Sequence, residues 1–308
     1  MTVPMIIDTD PGVDDAVALM LAATSPEVQL LGVTTVFGNA SVEVTTANAL
    51  RLRALAGRDQ LPVAAGAARP MVYPRQERSM CWHGADGLGG RADLLPAPNG
   101  PLEPLGAVTL MATLLRSAVV PVTLVAIGPL TNIALLLAVN PDVKPRIGRI
   151  VAMGGDLSGP PAEINTVEFN IGSDPEAARR VLIEEDVPTT LVPLNLTRRA
   201  ALSSAWLTEL AAAGPRCAAL AGVVEAAGKN RPGPMALHDS VAVLEAAIPG
   251  TLATTPMPLH VVCDHEGHRG AVLAEPDQSA ARRVVRVAHD ADLISINATI
   301  LNRLRRLR

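Results

Sequence analysis

Cysteine is scarce in this 308-residue chain, and its distribution excludes two kinds of site. The three cysteines, Cys81, Cys217 and Cys263, are odd in number, widely separated and without a CxxC pair. This pattern is typical neither of a disulfide framework nor of a cysteine metal centre. We therefore expect a reducing compartment, and the cytoplasm is the natural one.

Positive charge is also in short supply. Lysine and arginine total 26 against 30 acidic residues, which gives a net charge of -4. Such a chain has no basic field to attract duplex DNA or long RNA. A small molecule is the expected partner.

Targeting signals and long apolar runs are missing as well. The first residues, MTVPMIID, have neither a basic region nor a signal-peptide core, so export is not expected. The most membrane-like run, Leu124 to Val139, is interrupted by Gly128 and Pro129 and is typical of a buried strand, a turn and a core helix. We expect no membrane-spanning segment.

Strand-length apolar runs alternate with segments of helical periodicity. This alternation predicts an α/β fold formed by a single domain over residues 1–308, with an open, mostly parallel, Rossmann-like sheet flanked by helices. The predicted strands are Met5–Asp8, Leu30–Val36, Val122–Ile127, Ile150–Met153 and Thr190–Leu194, and the predicted helices lie near 14–24, 41–56, 130–140 and 174–185.

Two segments rich in glycine and proline, 66–106 and 228–238, interrupt this alternation. Long segments without regular structure inside a compact domain are usually functional or mobile. We expect both segments to act as lids.

Polar residues follow the predicted strands at their carboxyl ends. They are Asp8 and Asp10, Asn39, Gly128 to Asn132, Gly154 to Asp156, and Asn195. Open parallel sheets bind their ligands at this edge. We therefore expect one site there, assembled from distant parts of the sequence.

The first of these clusters, IIDTDPGVDDA (6–16), places four carboxylates within eight residues. Helix capping employs one or two of them, but Asp10, Asp14 and Asp15 together repel one another unless a cation joins them. A nitrogen-free, all-oxygen set favours Ca²⁺ or Mg²⁺ over Zn²⁺. Asp239 in LHDS (237–240) offers another ligand, although a capping aspartate and a structural histidine would explain that pair alone.

These residues resemble those of a known family. IIDTDPGVDDA is similar to the N-terminal signature of the nucleoside hydrolases, the inosine-uridine preferring N-ribohydrolases. The resemblance continues in the family's order through GVTTVFGN (32–39), HGADGLG (83–89), AIGPLTNIA (126–134), MGG (153–155), EFNIGSDPEAA (168–178) and LHDS (237–240).

The resemblance implies Ca²⁺-dependent hydrolysis of ribonucleosides to free base and ribose, by a homodimer or homotetramer. It implies that the side chains of Asp10, Asp15 and Asp239 and the backbone carbonyl of Ile127 hold the Ca²⁺. Asp10 also matches the general base, and His238 matches the acid that protonates the leaving group.

The resemblance further implies a substrate-binding set. Its members are Asp14 and Asn39 on the ribose 2′ side, Asn170 at the diol, Glu168 at the 5′-hydroxyl and His83 in the base-side loop. Met153 of the MGG element, and Asn165 and Phe169 near Glu168, complete the substrate-binding residues that we predict.

These residue types fit the chemistry of glycosidic cleavage. The reaction builds positive charge on the ribose and negative charge on the departing base. Carboxylates and amide oxygens stabilise the first charge. An imidazolium, with an unperturbed pKa of about 6.5, suits the second.

Aromatic side chains are the last scarcity, since the chain has only five. Trp82 lies in the first predicted lid and Phe169 lies between Glu168 and Asn170. Contact with a base or sugar and ordinary packing are equally open for both.

The chain departs from the family at two positions. Ala162 stands six residues before Glu168, where the family has an asparagine that helps hold the 5′-hydroxyl, and Asn165 is a nearby substitute. Arg198 follows Thr197 where many members have histidine, and we interpret it as a surface change.

Two other functions remain open from the sequence. DTD (8–10) at a strand end also fits a Mg²⁺-dependent phosphotransferase or phosphohydrolase, although PGV (11–13) follows it and the few lysines lie elsewhere. The other is a catalytically silent nucleoside-binding or scaffold protein that keeps the Ca²⁺ cluster, which Ala162 favours. The base preference is not predicted.

Overall fold

The computed structural model describes residues 2–74, 83–159, 167–229, 233–264, 268–275 and 283–307. Its strands are β1 Val3–Thr9, β2 Val28–Thr35, β3 Val63–Ala65, β4 Val122–Ala126, β5 Ile147–Met153, β6 Thr189–Val192, β7 Leu252–Met257, β8 Leu259–Val261, β9 Val272–Ala274 and β10 Val285–Ala291. Its α-helices are α1 Val13–Thr24, α2 Val42–Leu55, α3 Ala107–Ser117, α4 Thr131–Val139, α5 Phe169–Ser173, α6 Pro175–Arg179, α7 Leu194–Thr197, α8 Ser204–Ala211, α9 Pro215–Gly228, α10 His238–Ala247 and α11 Leu293–Leu304. Ala92–Leu94 and Pro141–Arg146 form 3-10 helices, and Arg180–Glu184 form a π-helical turn.

Eight of the described strands form one sheet in the order β3-β2-β1-β4-β5-β6-β10-β7. Every pairing from β3 to β10 is parallel, and the edge strand β7 runs antiparallel to β10. β8 and β9 form a separate antiparallel hairpin. The predicted α/β fold with a mostly parallel sheet is confirmed, while the edge strand and the hairpin were not predicted.

The strand order reverses at β1, and this reversal sets the position of the site. From β1 the chain builds outward through β2 to β3, and it then returns to place β4 on the other side of β1. The helices after β1 and β4 cover opposite faces of the sheet, which opens a crevice at the carboxyl ends of these strands. The acidic cluster follows β1 directly.

The apolar core lies in two layers, one on each face of the sheet. Side-chain alternation along β1 sends Met5 and Ile7 into one layer and Ile6 into the other. The first layer includes residues of α1, α9, α10 and α11, and the second includes residues of α3, α4 and α6. Within the described ranges, no helix has both the length and the hydrophobicity needed to cross a membrane.

Several predicted boundaries are corrected by the structure. The helices predicted at 14–24, 41–56 and 130–140 are right to within one residue at each end, whereas β1, β2 and β5 begin two or three residues earlier than predicted. The strand predicted over Thr190–Leu194 ends at Val192 because Pro193 has no N–H for the ladder, and Asn195 therefore lies in α7. The helix predicted at 174–185 begins at Pro175, because the side chain of Asp174 caps α6, and its second half is the π-helical turn Arg180–Glu184.

The two predicted lid segments are partly built into the fold. Leu88 and Leu95, within 66–106, are buried in the core. In 228–238, Gly228 ends α9 and Ala236 forms an isolated bridge with Ala201. Residues 75–82 and 230–232 lie outside the described residues, and closure of either segment over a ligand stays a prediction.

Candidate active site

Asp10 lies just past the end of β1, where the strand order reverses, and its side chain is fully buried. Oδ2 accepts a hydrogen bond from the Asn39 backbone N–H at 2.7 Å, whereas Oδ1 has no hydrogen-bond partner among the described residues. Burial raises the pKa of Asp10 well above its ordinary value, and the carboxylates of Asp15 and Asp14 raise it further. A charged carboxylate in this position needs a compensating cation.

Two glycines enclose the Asp10 carboxylate. A Cβ on Gly38 would stand 1.9 Å from Asp10 Oδ2, and a Cβ on Gly128 would stand 2.6 Å from Asp10 Oδ1. Both distances are shorter than any real contact, so the backbones of the loops after β2 and β4 approach Asp10 more closely than a side chain would allow. Gly38 and Gly128 thus enclose the carboxylate of Asp10, and we call this pair of glycines the cradle.

Asp15, in the first turn of α1, is the second buried carboxylate. Its Oδ1 accepts a 2.5 Å hydrogen bond from the Thr9 hydroxyl, and its Oδ2 accepts bonds from the Gly12 backbone N–H at 2.9 Å and from Asn39 Nδ2 at 3.0 Å. Burial, followed by the charge of Asp14, raises the pKa of Asp15 to about 7. One side chain therefore caps α1 and joins the loops after β1 and β2.

Asp14, Asp15 and Asp239 each bring a carboxylate oxygen to within 4.8 Å of the others. Asp239 comes from the first turn of α10, which packs against α1. Burial raises the pKa of Asp239 well above its ordinary value, and repulsion from Asp14, Asp15 and Asp10 raises it further. Asp14, which the resemblance assigned to the ribose, lies in the same cluster as the predicted metal ligands.

The cluster fits a hard divalent cation. It offers oxygen atoms alone, and its carboxylates repel one another. The neighbouring Asp10, whose Oδ1 has no hydrogen-bond partner among the described residues, adds to this repulsion. Calcium and magnesium take such oxygen ligands, whereas zinc prefers nitrogen and sulfur.

Asn170, in α5, carries its side-chain amide to the ends of β4 and β5. Nδ2 donates hydrogen bonds to the backbone carbonyls of Ile127 and Met153, both at 3.1 Å, and lies 3.6 Å from Met153 Sδ. The Ile127 carbonyl is the backbone ligand that the resemblance implies. Asn170 therefore brings three of the predicted site residues together and fixes their orientation.

Glu168 caps α5 with its own side chain. Its Oε1 accepts the backbone N–H of Asn170 at 2.8 Å, and its Oε2 accepts those of Ile171 at 2.9 Å and Gly155 at 2.8 Å. These bonds fix α5 against the turn after β5, a role that the sequence did not indicate. Contact of Glu168 with a 5′-hydroxyl stays a prediction.

His83 reaches the site from the segment 66–106. Its Nδ1 accepts a 3.0 Å hydrogen bond from the backbone N–H of Val13 and lies 3.9 Å from Asp14 Oδ1. Because Nδ1 accepts this bond, the proton of the neutral ring is on Nε2. A side chain 70 residues away thus caps the helix that carries Asp14 and Asp15.

His238 is the first residue of α10, next to Asp239. Its Nδ1 lies 2.9 Å from the hydroxyl of Thr197, the last residue of α7. Arg198, the neighbouring departure from the family, is half-exposed and forms a 2.9 Å ion pair with Asp156. Its position agrees with the interpretation of a surface change.

Phe169 and three residues outside the described ranges complete the residues raised by the sequence. Trp82, Ala162 and Asn165 lie outside the described residues. Phe169 is half-buried at the start of α5, and its contact with a base or sugar stays a prediction.

Asn132 is a site residue to which the sequence gave no role. Its Nδ2 donates to Asp8 Oδ1 at 2.8 Å and to the Thr35 carbonyl at 2.9 Å, and its Oδ1 accepts the Ala67 N–H at 2.9 Å. Asp8 lies on β1, two residues before Asp10, and its burial raises its pKa to about 7. The available signal was that Asn132 and Asp8 both belong to polar clusters at strand ends.

One protein family matches almost the whole chain. The family model described as inosine-uridine preferring nucleoside hydrolase matches residues 5–296. The pyrimidine-specific ribonucleoside hydrolase RihA of Photobacterium profundum is 46% identical over 203 residues, which are 65% of this chain and 63% of that protein. The chain thus matches less than two thirds of the length of this relative.

Solved structures of nucleoside hydrolases share the fold from end to end. The plant nucleoside hydrolase PpNRh1 superposes with a TM-score of 0.89 at 27% identity, covering 99% of both chains. An inosine-guanosine nucleoside hydrolase also gives a TM-score of 0.89 at 27% identity, covering 100% of this chain and 98% of that one.

The fold and the carboxylate cluster define an α/β protein with an acidic site at the switch point of a parallel sheet. The match over residues 5–296 then makes the assignment specific. The chain belongs to the inosine-uridine preferring nucleoside hydrolase family, and the family predicted from the sequence is confirmed.

Proposed function

We propose that the protein hydrolyses the N-glycosidic bond of ribonucleosides, releasing free base and ribose, with Ca²⁺ as its cofactor. The observation that carries this proposal is the group of carboxylates at the switch point of the sheet. Asp14, Asp15 and Asp239 meet there, and the buried Asp10 lies close enough to be repelled by Asp14 and Asp15. Family membership supports the reaction, and the all-oxygen composition of the cluster supports the cation.

The proposed ligands of the cation are the side chains of Asp10, Asp15 and Asp239 and the carbonyl of Ile127. A bound Ca²⁺ would offset the mutual repulsion of the carboxylates, hold ribose hydroxyls and lower the pKa of a water beside the anomeric carbon. The Asn170 amide that donates to the Ile127 carbonyl fixes the direction of this backbone group.

Asp10 is the proposed general base. Because its Oδ2 accepts the Asn39 N–H, Oδ1 is the oxygen that takes a proton from the attacking water. The water oxygen then bonds to C1′ while the C1′–N bond breaks and its electron pair leaves with the base. The cradle of Gly38 and Gly128 holds the carboxylate in one orientation during this step.

The ribose is held by polar side chains from separate loops. Asp14 and Asn39 serve its 2′ side, Asn170 its diol and Glu168 its 5′-hydroxyl. Since Asn39 also bonds Asp10 and Asp15, the group that binds the sugar is coupled to the group that activates the water.

His238 is the proposed acid at the leaving group. A protonated imidazole gives its proton to the base nitrogen as the glycosidic bond breaks, which neutralises the negative charge on the departing base. His83, whose Nδ1 lies 3.9 Å from Asp14 Oδ1, is the proposed residue of the base side of the pocket.

Pyrimidine ribonucleosides are the proposed substrates, with uridine and cytidine first. RihA of Photobacterium profundum, named as pyrimidine-specific, is 46% identical over 203 residues of this chain, whereas the inosine-guanosine hydrolase is 27% identical over the whole of it. The higher identity supports the pyrimidine preference.

Ribose release from uridine, cytidine, inosine, adenosine and guanosine in the presence of Ca²⁺ tests this proposal. We expect ribose from at least the two pyrimidine nucleosides, with the highest kcat/KM for one of them. Absence of ribose from every nucleoside would contradict the reaction. A higher kcat/KM for inosine would contradict only the base preference.

The structure counts against a phosphotransferase that uses Asp8 as a nucleophile. Asp8 is 1% exposed, and its Oδ1 accepts hydrogen bonds from Thr34 at 2.6 Å and Asn132 at 2.8 Å. The same ribose assay distinguishes the proposed hydrolase from a catalytically silent nucleoside-binding protein, which would bind a nucleoside and release no ribose.

A further inference from the structure

Thr197 is a fully buried threonine whose hydroxyl contacts the proposed acid of the site. Its Oγ1 lies 2.9 Å from His238 Nδ1 and 3.4 Å from the carbonyl oxygen of Leu194. The hydroxyl therefore has one nitrogen and one carbonyl oxygen within reach, and it carries a single hydrogen.

Backbone pairing on both sides holds this contact in place. On the side of α7, the N–H of Leu194 donates to the Gly155 carbonyl at 2.7 Å. On the side of α10, the N–H of Leu237 donates to the Ala200 carbonyl at 3.0 Å, so the residue before His238 is paired with a residue just after Thr197. Backbone hydrogen bonds therefore hold the chain near Thr197 and the chain next to His238 in place.

We propose that Thr197 is a positioning residue for His238, an inference that rests on the proposed function. With Nδ1 engaged by Thr197, Nε2 is the ring nitrogen that meets the leaving base. A hydroxyl accepts a hydrogen bond from a protonated Nδ1 and donates one to a bare Nδ1, with its own hydrogen turned to the Leu194 carbonyl in the first case. Because the proton leaves from Nε2, the contact of Nδ1 with the Thr197 hydroxyl is unchanged by the transfer. The hydroxyl therefore fixes the orientation of the ring, which an alkyl group could not do.

The departure at position 198 leaves this contact intact. Arg198 points to Asp156 and is half-exposed, whereas Thr197 is fully buried against His238. The two adjacent residues face in different directions, so the change at Arg198 does not alter the support of the imidazole.

The test compares Thr197→Val, which keeps the shape but removes the hydroxyl, with Thr197→Ser, which keeps the hydroxyl. Thr208→Val, at an exposed position of α8, is the matched control. Two substrates are used: uridine, whose base departs with a proton, and 4-nitrophenyl riboside, whose leaving group departs without one.

Thr197→Val should lower kcat for uridine roughly tenfold to a hundredfold, part of the full effect of a general acid. Its KM for uridine and its kcat for 4-nitrophenyl riboside should change by less than about threefold. Thr197→Ser should retain most of the uridine activity, and Thr208→Val should match the wild type. Equal losses on both substrates, or no rescue by serine, would overturn the positioning role.

Nitrogen NMR of the histidine side chains gives a second readout that does not depend on turnover. In protein labelled at histidine nitrogens, with His238 assigned from His238→Gln, Thr197→Val should shift the Nδ1 resonance while Thr197→Ser should leave it near the wild-type position. An unshifted Nδ1 in Thr197→Val would overturn the inference. Wild-type protein without ribose release would instead overturn the proposed function, and the NMR result would still decide the contact.

Discussion

Asp10 is fitted into the site so closely that its neighbours have no room for a side chain. The cradle formed by Gly38 and Gly128 leaves this carboxylate one position, in which Oδ2 accepts the Asn39 N–H and Oδ1 has no donor among the described residues. A group that activates a water benefits from this restriction, since a misplaced base loses rate even when it is chemically unchanged.

Gly128→Ala should therefore reduce activity by moving Asp10. The new Cβ would meet Asp10 Oδ1 at 2.6 Å and Val36 Cγ1 at 3.0 Å, so the carboxylate or the loop must shift. We expect ribose release from uridine to fall at least about tenfold, with a loss of stability of about 1–3 kcal/mol that is typical of overpacking. Steady-state kinetics and urea unfolding measure the two effects.

Gly228→Ala is the matched control, because its Cβ would find its nearest neighbour, Met235 Cγ, at 3.9 Å. We expect it to be as stable as the wild type or up to about 1 kcal/mol more stable, because alanine is favoured over glycine within a helix. Wild-type kcat/KM in Gly128→Ala would show that Asp10 tolerates displacement, and the role of the cradle would be wrong.

The helix α4 connects the site to the interior of the sheet through Asn132. This fully buried amide donates to Asp8 on β1 and to the Thr35 carbonyl on β2, and it accepts from Ala67 at the start of the segment 66–106. All three contacts are with chain segments distant in sequence. Asn132 therefore sets the position of two strand ends relative to the helix.

Removal of this amide should destabilise the fold. Asn132→Ala leaves buried partners without their hydrogen bonds, and we expect the free energy of unfolding to fall by at least about 2 kcal/mol. Asn302→Ala, at an exposed position of α11, controls for the substitution itself. Urea denaturation followed by circular dichroism measures both, and a change of less than about 0.5 kcal/mol in Asn132→Ala would contradict the role of Asn132.

Elements with strong local signals were predictable from the sequence. β1 and α1 follow from an apolar run, a Pro-Gly turn and aspartates in the first turn of a helix. The meeting of Asp10 with Asn39 also followed, because both come just after parallel strands and so share one edge of the sheet. Asp239, in the first turn of α10, was assigned to the site by the family resemblance. Family resemblance then supplied roles that spacing alone did not give.

Contacts between residues far apart in the sequence could not be predicted. Nothing near His83 in the sequence indicates that its Nδ1 accepts the Val13 N–H, and nothing near Asn132 indicates Asp8, which is 124 residues away. The hairpin of β8 and β9 has strands of only three residues, too short for a periodic signal. Glu168 was predicted to bind substrate, not to cap α5. Its side chain also accepts the Gly155 N–H from the turn after β5, and only the folded chain brings that turn to it.

Buried carboxyl groups at the centre of the sheet make the stability of the whole molecule depend on pH. Burial raises the pKa of Asp8 and Asp15 from 3.8 to about 7, and like charge from Asp14 adds to the shift of Asp15. Without a cation, the folded chain between about pH 4 and 7 holds protons that the unfolded chain has lost. The stability therefore decreases as the pH rises through this window and levels off above it.

We expect the melting temperature of the chelated, cation-free protein to fall between pH 5 and pH 7. Over this range the free energy of unfolding should fall by about 1.4 kcal/mol per pH unit for each carboxyl group whose pKa is raised. Asp8→Asn keeps an acceptor for Thr34 and Asn132 but cannot titrate, so its profile should be flatter. Differential scanning calorimetry at several pH values measures both proteins, and identical slopes would contradict the raised pKa of Asp8.

Calcium removal and return test the central claim most directly: that the acidic cluster is the cation site of a nucleoside hydrolase. Ribose release from uridine is measured in chelated protein during a calcium titration, for the wild type and for Asp10→Asn. We predict that activity disappears with the cation and returns in full at one Ca²⁺ per chain, and that Asp10→Asn does not recover. Undiminished ribose release by the chelated wild type would contradict the claim.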